Sequence, residues 1–325
     1  MGKPVETKNK DNIYLPEGSL IDTDLNVMYT ASLNMLERAM RKGRILEAVA
    51  TVCDCRDMSL RVDLGDCEGI IPKEEAQLEG ESAKDIAVIT RVGKPVAFKV
   101  TGILDSGAHP RVLLSRKGAQ EECRQNYISK LSPGDIIPAT VTHIDSFGAF
   151  VDIGCGIVSL ICIDSISVSR IFHPRDRLYP GQKLFCVVKS IDYESGRMYM
   201  SLRELLGTWE ENAAAFSPCS SVAGIVRSIE DYGIFVELSP NLAGLAELKD
   251  GVAPGDTCSV YIKSIIPEKM KIKLVIIDTL KTPVSTGIKY FIDTENKRHI
   301  SHWKYSPDGC RKVIETVFDA QECPV

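Results

Sequence analysis

Apolar and polar residues along this chain alternate in short bursts, and the bursts recur three times in one order. Each set opens with a strand rich in β-branched residues and a tight turn. A second strand follows, ending in Val-Asp-Leu-Gly or a similar sequence, and then a short third strand. A variable segment comes next, closed by a Gly-Asp or Gly-Lys/Gln pair, and two further strands complete the set. In the middle set the strands are "DIIPATVTHID", "SFGAFVDIG", "GIVSLICID", "PGQKLFCVVKSID" and "GRMYMSLRE". The third set reads "SSVAGIVRSIE", "DYGIFVELS", "LAGLAEL", "PGDTCSVYIKSI" and "MKIKLVIID". The first reads "GRILEAVATVCD", "DMSLRVDLG", "CEGIIP", "VGKPVAFKVTGI" and "PRVLLSRKG". Period-two alternation between Gly, Pro and Asp turns is the mark of half-buried strands.

Five short strands with a long connection after the third predict a mainly β chain of three tandem OB-fold barrels, small Greek-key barrels whose closure removes exposed sheet edges. The expected boundaries are 45–123, 131–204 and 217–279. Residues 1–44 form an N-terminal arm, in which Met28 to Lys42 reads as one amphipathic helix with Leu33, Leu36 and Met40 on its apolar side. Residues 205–216 read as a helical linker, beginning in the sequence near Glu204 and ending at Phe216. Residues 280–325 form a hairpin-like extension, in which "IKYFIDTENKRHISHWKYS" folds back through its polar "DTENKR" turn and "CRKVIETVF" adds a strand.

Composition narrows the function. Net charge is −5, which argues against gripping duplex nucleic acid through bulk positive charge and leaves local patches and stacking open. Aromatic residues are only 6% of the chain, so the recurrence of Phe147 and Phe150 as Tyr232 and Phe235 one repeat later stands out. No apolar run approaches the roughly 18–20 residues of a membrane span, and the N-terminus lacks a signal-peptide core, so the expected location is cytoplasmic. The 11 cysteines are scattered, and Cys162, Cys186 and Cys258 sit in apolar strands, which reads as free, buried thiols.

The middle set resembles the S1 motif, an RNA-binding OB-fold repeat, through "GDIIPATVTHIDSFGAFVDIG", "SLICIDSIS" and "GQKLFCVVKSIDYESGRMYMSLRE". The third set is similar over "AGIVRSIEDYGIFVELSPNLAGLAEL", and the degenerate first over "VDLGDCEGIIP" and "VLLSRK". The likeness covers about residues 45–279, and the whole resembles short S1-like proteins of Gram-positive anaerobes. Nothing in the resemblance accounts for the tail.

The resemblance implies a base-stacking site of two aromatics, a histidine after the third strand, and an aspartate and arginine at the last hairpin. Phe147, Phe150, Asp192 and Arg197 match it in the second repeat, with Cys162 at the histidine position. In the third, Tyr232 and Phe235 match, Lys271 replaces arginine, and Glu247 and Ile266 occupy the other two places. In the first, Met58, Arg61 and Pro72 depart from the pattern and only Arg111 fits it. Spacing alone allows the aromatics a core role. Positions three apart on a strand face opposite ways, and Gly148 is expected to permit a bulge that brings Phe147 and Phe150 together. Arg170, His173, Arg175 and Arg177 in "SRIFHPRDR" read either as a solvated loop or as phosphate contacts.

Walker, Gly-x-Gly-x-x-Gly and Gly-x-Ser-x-Gly motifs are absent, so the expectation is a protein that is not an enzyme and has no cofactor. Cys53 and Cys55 are too closely spaced for a usual zinc knuckle, and His299, His302, Cys310 and Cys323 are irregularly spaced for zinc, so no metal is expected. His302, Trp303 and Tyr305 read either as an added aromatic surface or as the tail's own core. The implied function is binding of single-stranded messenger RNA at the small ribosomal subunit, with no membrane or small-molecule substrate. The alternative is a free RNA chaperone or post-transcriptional regulator. An enzyme subunit would need a catalytic domain for which no segment remains. The weak first repeat fits a protein contact.

Overall fold

The first strand of every set continues unbroken for nine or ten residues because its alternate residues have a barrel interior to fill. The computed structural model describes residues 13–78, 85–104, 110–192, 194, 196–280, 287–294 and 296–318. Cys323, the N-terminal residues 1–12 and the final seven residues lie outside that set. The chain divides into two compact units, residues 1–131 with 152–158, and residues 132–151 with 159–325. No helix among the described residues is long and apolar enough to cross a membrane.

Three closed five-stranded barrels form, as the strand pattern predicts. The first comprises β1 (Ile45–Cys53), β2 (Leu60–Asp63), β3 (Glu68–Ile71), β4 (Pro95–Leu104) and β5 (Arg111–Ser115). The second comprises β6 (Ile136–Asp145), β7 (Gly148–Asp152), β8 (Val158–Cys162), β9 (Lys183–Asp192) and β10 (Arg197–Ser201). The third comprises β11 (Ser221–Glu230), β12 (Gly233–Ser239), β13 (Leu242–Ala246), β14 (Thr257–Ile266) and β15 (Lys271–Thr279). In each, the third and fifth strands run parallel and seal the barrel, by the pairings Gly69 with Val112, Leu160 with Tyr199, and Leu245 with Lys273.

In the first unit, one core runs from the barrel interior (Leu46, Val62, Phe98, Leu114) into the preceding helices. The single helix expected over Met28–Lys42 is two, α1 (Asp24–Thr30) and α2 (Leu33–Lys42). Ser32, extended at φ −161° and ψ 158°, breaks them, and the break lets Tyr29 of α1 and Leu36 and Ala39 of α2 enter the same core. Gly43, at φ 60°, ends α2 with its N–H on the Ala39 and Met40 carbonyls. A short helix, α3 (Asp85–Ile89), lies between β3 and β4. After β5, α4 (Arg116–Asn126) has no apolar period in "RKGAQEECRQN" and so is not legible as a helix; Ser115 caps it by accepting from the Gly118 N–H at 2.7 Å.

Buried carboxylates hold this unit's irregular segments. Glu17 accepts from Arg116 at 2.7 Å and from the Ala97 N–H at 3.1 Å, and pairs with Arg91 at 3.2 Å. Asp152 accepts from the N–H groups of Glu17, Gly154 and Gly156 at 2.7, 2.8 and 3.0 Å. Glu47 accepts from Gly18 and Leu20 at 3.0 and 2.9 Å. Burial pushes the carboxyl of Glu47 up to about 7, and burial together with the Glu17 charge does the same for Asp152.

The second unit's central contact is ionic. Arg177 is wholly buried and donates through both terminal nitrogens to Glu237, at 2.6 and 2.5 Å. Arg227 donates to the same carboxylate at 2.7 and 3.3 Å. Arg177 is therefore neither a solvated loop residue nor a phosphate contact; a carboxylate on β12 of the third barrel neutralises it. Burial alone would raise the Glu237 carboxyl, but hydrogen bonds and charge from the two arginines hold it below the usual range. The connection between these barrels holds a 3-10 turn, Arg203–Leu206, and a helix, α5 (Trp209–Ala213), with a Thr208–Glu211 capping box.

The tail pairs differently from the expected hairpin. Its strands are β16 (His302–Lys304) and β17 (Glu315–Val317), while the "DTENKR" turn closes locally on Asp293. Tyr290 before that turn and Arg298 at its end take up polar groups of the second barrel: Phe185 N–H donates to the Tyr290 hydroxyl at 2.9 Å, and Ile136 N–H to the Arg298 carbonyl at 2.9 Å. Trp303 and Tyr305 are buried, as a core role requires.

Two outcomes are expected. Glu237→Gln leaves two guanidinium groups around a neutral amide and should destabilise the second unit by about 3–5 kcal/mol, read from chemical denaturation. In the first unit the raised carboxyls are neutral in the fold, so their penalty grows as pH climbs from the ordinary carboxylate range to about 7. Wild type should lose about 4 kcal/mol between pH 5.5 and 8, about 2 kcal/mol from each carboxyl, in a window in which Glu237 stays ionised, and Glu47→Gln should roughly halve that loss.

Candidate nucleic-acid interface

The aromatic pair of the second barrel is built by a turn and a strand. Phe147 lies in the turn before β7, with its carbonyl accepting from the Ile163 N–H at 2.9 Å, and Phe150 lies within β7. Because Phe147 precedes the strand, strand alternation does not separate the two residues. Their ring centroids are 5.8 Å apart at 89°, an edge-to-face pair, and Phe147 is 50% exposed. The irregularity expected at Gly148 sits instead on the preceding strand. On β6, Thr142 and His143 both escape burial between buried Val141 and Ile144. On β11, the register slips between Val226 and Ser228. Glycine serves another purpose at position 148: a Cβ there would lie 2.4 Å from the Ile161 carbonyl oxygen.

The third barrel repeats the arrangement. Tyr232 and Phe235 meet at 6.1 Å and 90°, with Tyr232 69% exposed. Gly233, at φ +149°, brings its backbone against the Ala246 carbonyl, 2.5 Å from where a Cβ would stand. The cationic positions also coincide. Arg197 opens β10 opposite Asp192, and Lys271 opens β15 opposite Ile266. Asp192 accepts from the Glu194 N–H at 3.1 Å. Cys162, at the expected histidine position, is half-buried, and burial raises its thiol. Glu247 pairs with Lys263 at 2.8 Å, and that hydrogen bond lowers its carboxyl.

Two residues join the second face that the motif did not indicate. The His143 ring stacks on Phe150 at 6.0 Å and 27°, brought there by the irregular end of β6. Tyr199 shares Arg197's side of β10, since the intervening Met198 and the following Met200 point inward. Strand alternation in "RMYMS" carries the Tyr199 signal; nothing in the sequence carries that of His143.

The loop arginines go to different places. Arg170 lines a cleft with Tyr232, Phe235 and Lys271 of the third barrel. Arg175 lines another, with Tyr179, Lys183 and Tyr290, and its N–H donates to the His173 ring at 3.1 Å. The corresponding face of the first barrel is ionic: Arg61 bonds Glu68 at 3.1 Å and lies 3.9 Å from Asp54, and Arg111 lies 3.8 Å from Glu68. Met58 is a turn residue at φ 58°, and Pro72 precedes a 3-10 turn.

Candidate zinc ligands do not assemble. His299 pairs with Asp135 at 2.8 Å, His302 with Glu315 at 3.2 Å, and the Cys310 thiol donates to the Pro267 carbonyl. Among the described residues no three His, Cys, Asp or Glu side chains group as metal ligands.

Residues 130–203 match the family model of the S1 RNA binding domain. The chain carries an S1 domain. It is 33% identical to the small ribosomal subunit protein bS1 of Leuconostoc lactis over 183 residues, 51% of this chain and 42% of that protein. It is 26% identical to bS1 of Staphylococcus aureus over 291 residues, 85% of this chain and 70% of the other. The bS1 of Rhodopseudomonas palustris is 27% identical over 70% of this chain and 40% of its own length. The matched region thus spans less than half of the Leuconostoc and Rhodopseudomonas proteins.

In this S1 domain the close approach at Gly148 sets how the turn carrying Phe147 lies on β8. Gly148→Ala should force the turn from the Ile161 carbonyl and cost about 1–3 kcal/mol of unfolding free energy in a denaturant titration.

Proposed function

We propose that this protein is a non-catalytic binder of single-stranded RNA that stacks bases on the faces of its second and third barrels and acts on messenger RNA at the small ribosomal subunit. The observation that carries this reading is the repeated edge-to-face pair. Two barrels each hold an exposed aromatic against a second ring, with a cation opening the last strand. A hydrophobic core would bury such rings. Left exposed on a barrel face, they offer unpaired bases about 1–3 kcal/mol each, with little preference for sequence.

In the second barrel Phe147 and Phe150 stack bases, His143 extends the platform, and Arg197 with Asp192 contacts the backbone and ribose. In the third, Tyr232 and Phe235 stack and Lys271 contacts phosphate. Arg170 and Arg175 add phosphate contacts from the loop. The first barrel takes no RNA, because Met58 and Arg61 stand where the aromatics would, and Glu68 and Asp54 neutralise Arg61 while Glu68 also faces Arg111 at the cationic position. The matching relatives bear the name small ribosomal subunit protein, which supports the ribosomal setting and a cytoplasmic location.

Binding of a pyrimidine-rich oligoribonucleotide, followed by fluorescence anisotropy, tests this. Phe147→Ala should weaken it by about 1–3 kcal/mol, while Arg61→Ala leaves it within error. At about −0.7 per phosphate contact, the slope of log K against log[salt] should be about −2 to −3. An unchanged affinity in folded Phe147→Ala would sink the stacking reading. Cosedimentation with small subunits at low salt, absent for a free chaperone, tests the setting.

A further inference from the structure

The cleft beside Tyr232 and Phe235 is larger than the face of one barrel. It encloses about 500 Å³, within the size range of small-ligand pockets, and three parts of the chain wall it. The third barrel contributes the two rings and Lys271. The loop after β8 contributes Arg170 and Phe172, and the tail contributes Lys312. Phe172 is 65% exposed, so one more aromatic stands in solvent at the cleft beside Tyr232.

Both outer walls are held by the same short stretch of backbone. Asn241 accepts from the Val168 N–H through its side chain at 2.9 Å, and its carbonyl accepts from the Tyr305 hydroxyl at 2.5 Å. Ser169 N–H donates to the adjacent Pro240 carbonyl at 3.3 Å, and Arg177 anchors the far end of the loop on Glu237. On the tail side, the Ser306 hydroxyl donates to the Lys312 carbonyl at 2.9 Å and accepts from the Ile314 N–H at 2.8 Å, which fixes the turn carrying Lys312. Among the described residues the lining carries one carboxylate, Glu230, against Arg170, Lys269, Lys271 and Lys312. Arg227 also reaches the lining, but its charge is taken up by Glu237.

We infer that the tail and the loop of the preceding barrel complete the third site, making a composite cleft that takes an unpaired base between aromatic side chains with its phosphates against Lys312 and Arg170. This rests on the stacking reading above and extends it: Lys312 and Phe172 become RNA-contacting residues outside the barrel they serve. Cations without aromatics would suit any anion, and aromatics without cations any apolar group. The combination matches a nucleotide. Enclosure on two sides also excludes a duplex, whose bases are not free to enter.

The test uses the full chain in a Phe147→Ala background, which silences the second site, with a fluorescein-labelled oligouridylate. Tyr232→Ala, Phe172→Ala and Lys312→Gln should each weaken binding by about fivefold or more. Lys312→Gln should also reduce the salt slope by about 0.7, the share of one phosphate contact. With 4-thiouridine in the oligonucleotide, cross-links should map to peptides containing Phe172 or Lys312. All three side chains are exposed, and thermal melts should match the parent. Loss of affinity in Tyr232→Ala alone, with Phe172→Ala and Lys312→Gln unchanged in affinity and slope, overturns the composite cleft and leaves stacking intact. No effect of Tyr232→Ala overturns stacking on the third barrel itself. Displacement of the oligonucleotide by a polyglutamate peptide at equal concentration assigns the cleft to an acidic protein and overturns the RNA assignment.

Discussion

A carboxylate with no access to water sits between two guanidinium groups in the second unit, and the arrangement around the third barrel follows from it. Glu237 on β12 is neutralised by Arg227 of its own barrel and by Arg177 of the loop that follows β8. Desolvating three charged groups costs several kcal/mol per ion, so the gain lies less in stability than in geometry. Arg177 has one place where its charge is compensated, and its loop lies where that place requires. Phe172 and Arg170, a few residues earlier, are thereby carried to the rim of the third barrel. Asn241 finishes the job with hydrogen bonds to the same loop, the tail and the interbarrel connection.

The three barrels share one backbone design and differ in what their exposed faces carry. In the second and third, a glycine lets the hairpin turn close on the neighbouring strand's carbonyl, and the turn presents an aromatic at right angles to the ring on the strand. In the first, Arg61, Glu68, Arg111 and Asp54 occupy the corresponding region and satisfy one another. A self-compensated ion network has little left to offer a phosphate, whatever its count of arginines. Its helices show where that barrel's remaining apolar contacts go: α1 and α2 extend its core.

The RNA binding proposed above is compatible with an acidic chain once its charges are followed individually. Several basic side chains are consumed internally, Arg116 by Glu17 and Arg177 by Glu237 among them. Those lining the third barrel's cleft face one carboxylate. On the reading proposed above, binding through stacked bases and a few local phosphate contacts would need no basic surface at large, and two modest sites on one chain would reinforce each other through effective concentration.

Strand number, barrel class and the identity of the aromatic pairs are written in the sequence, because each depends on local periodicity and on motifs a few residues long. Alternation fixes which side chains enter a barrel, and Gly, Pro and Asp turns fix where strands end. The recurrence of Phe147 and Phe150 as Tyr232 and Phe235 needs no coordinates to see. Tertiary structure alone decided the rest, since those facts depend on residues far apart in the chain. It split the N-terminal helix at Ser32 to serve one core, and it made a helix of "RKGAQEECRQN" by burying Ala119 and Cys123. It also paired Tyr290 and Arg298 of the tail with the second barrel, beside the tail's own β16–β17 pair. It sent Arg177 inward while Arg170, seven positions earlier, stayed at the surface. Nothing local distinguishes those two arginines; the difference is a carboxylate sixty residues downstream, which only the folded chain brings within 2.6 Å.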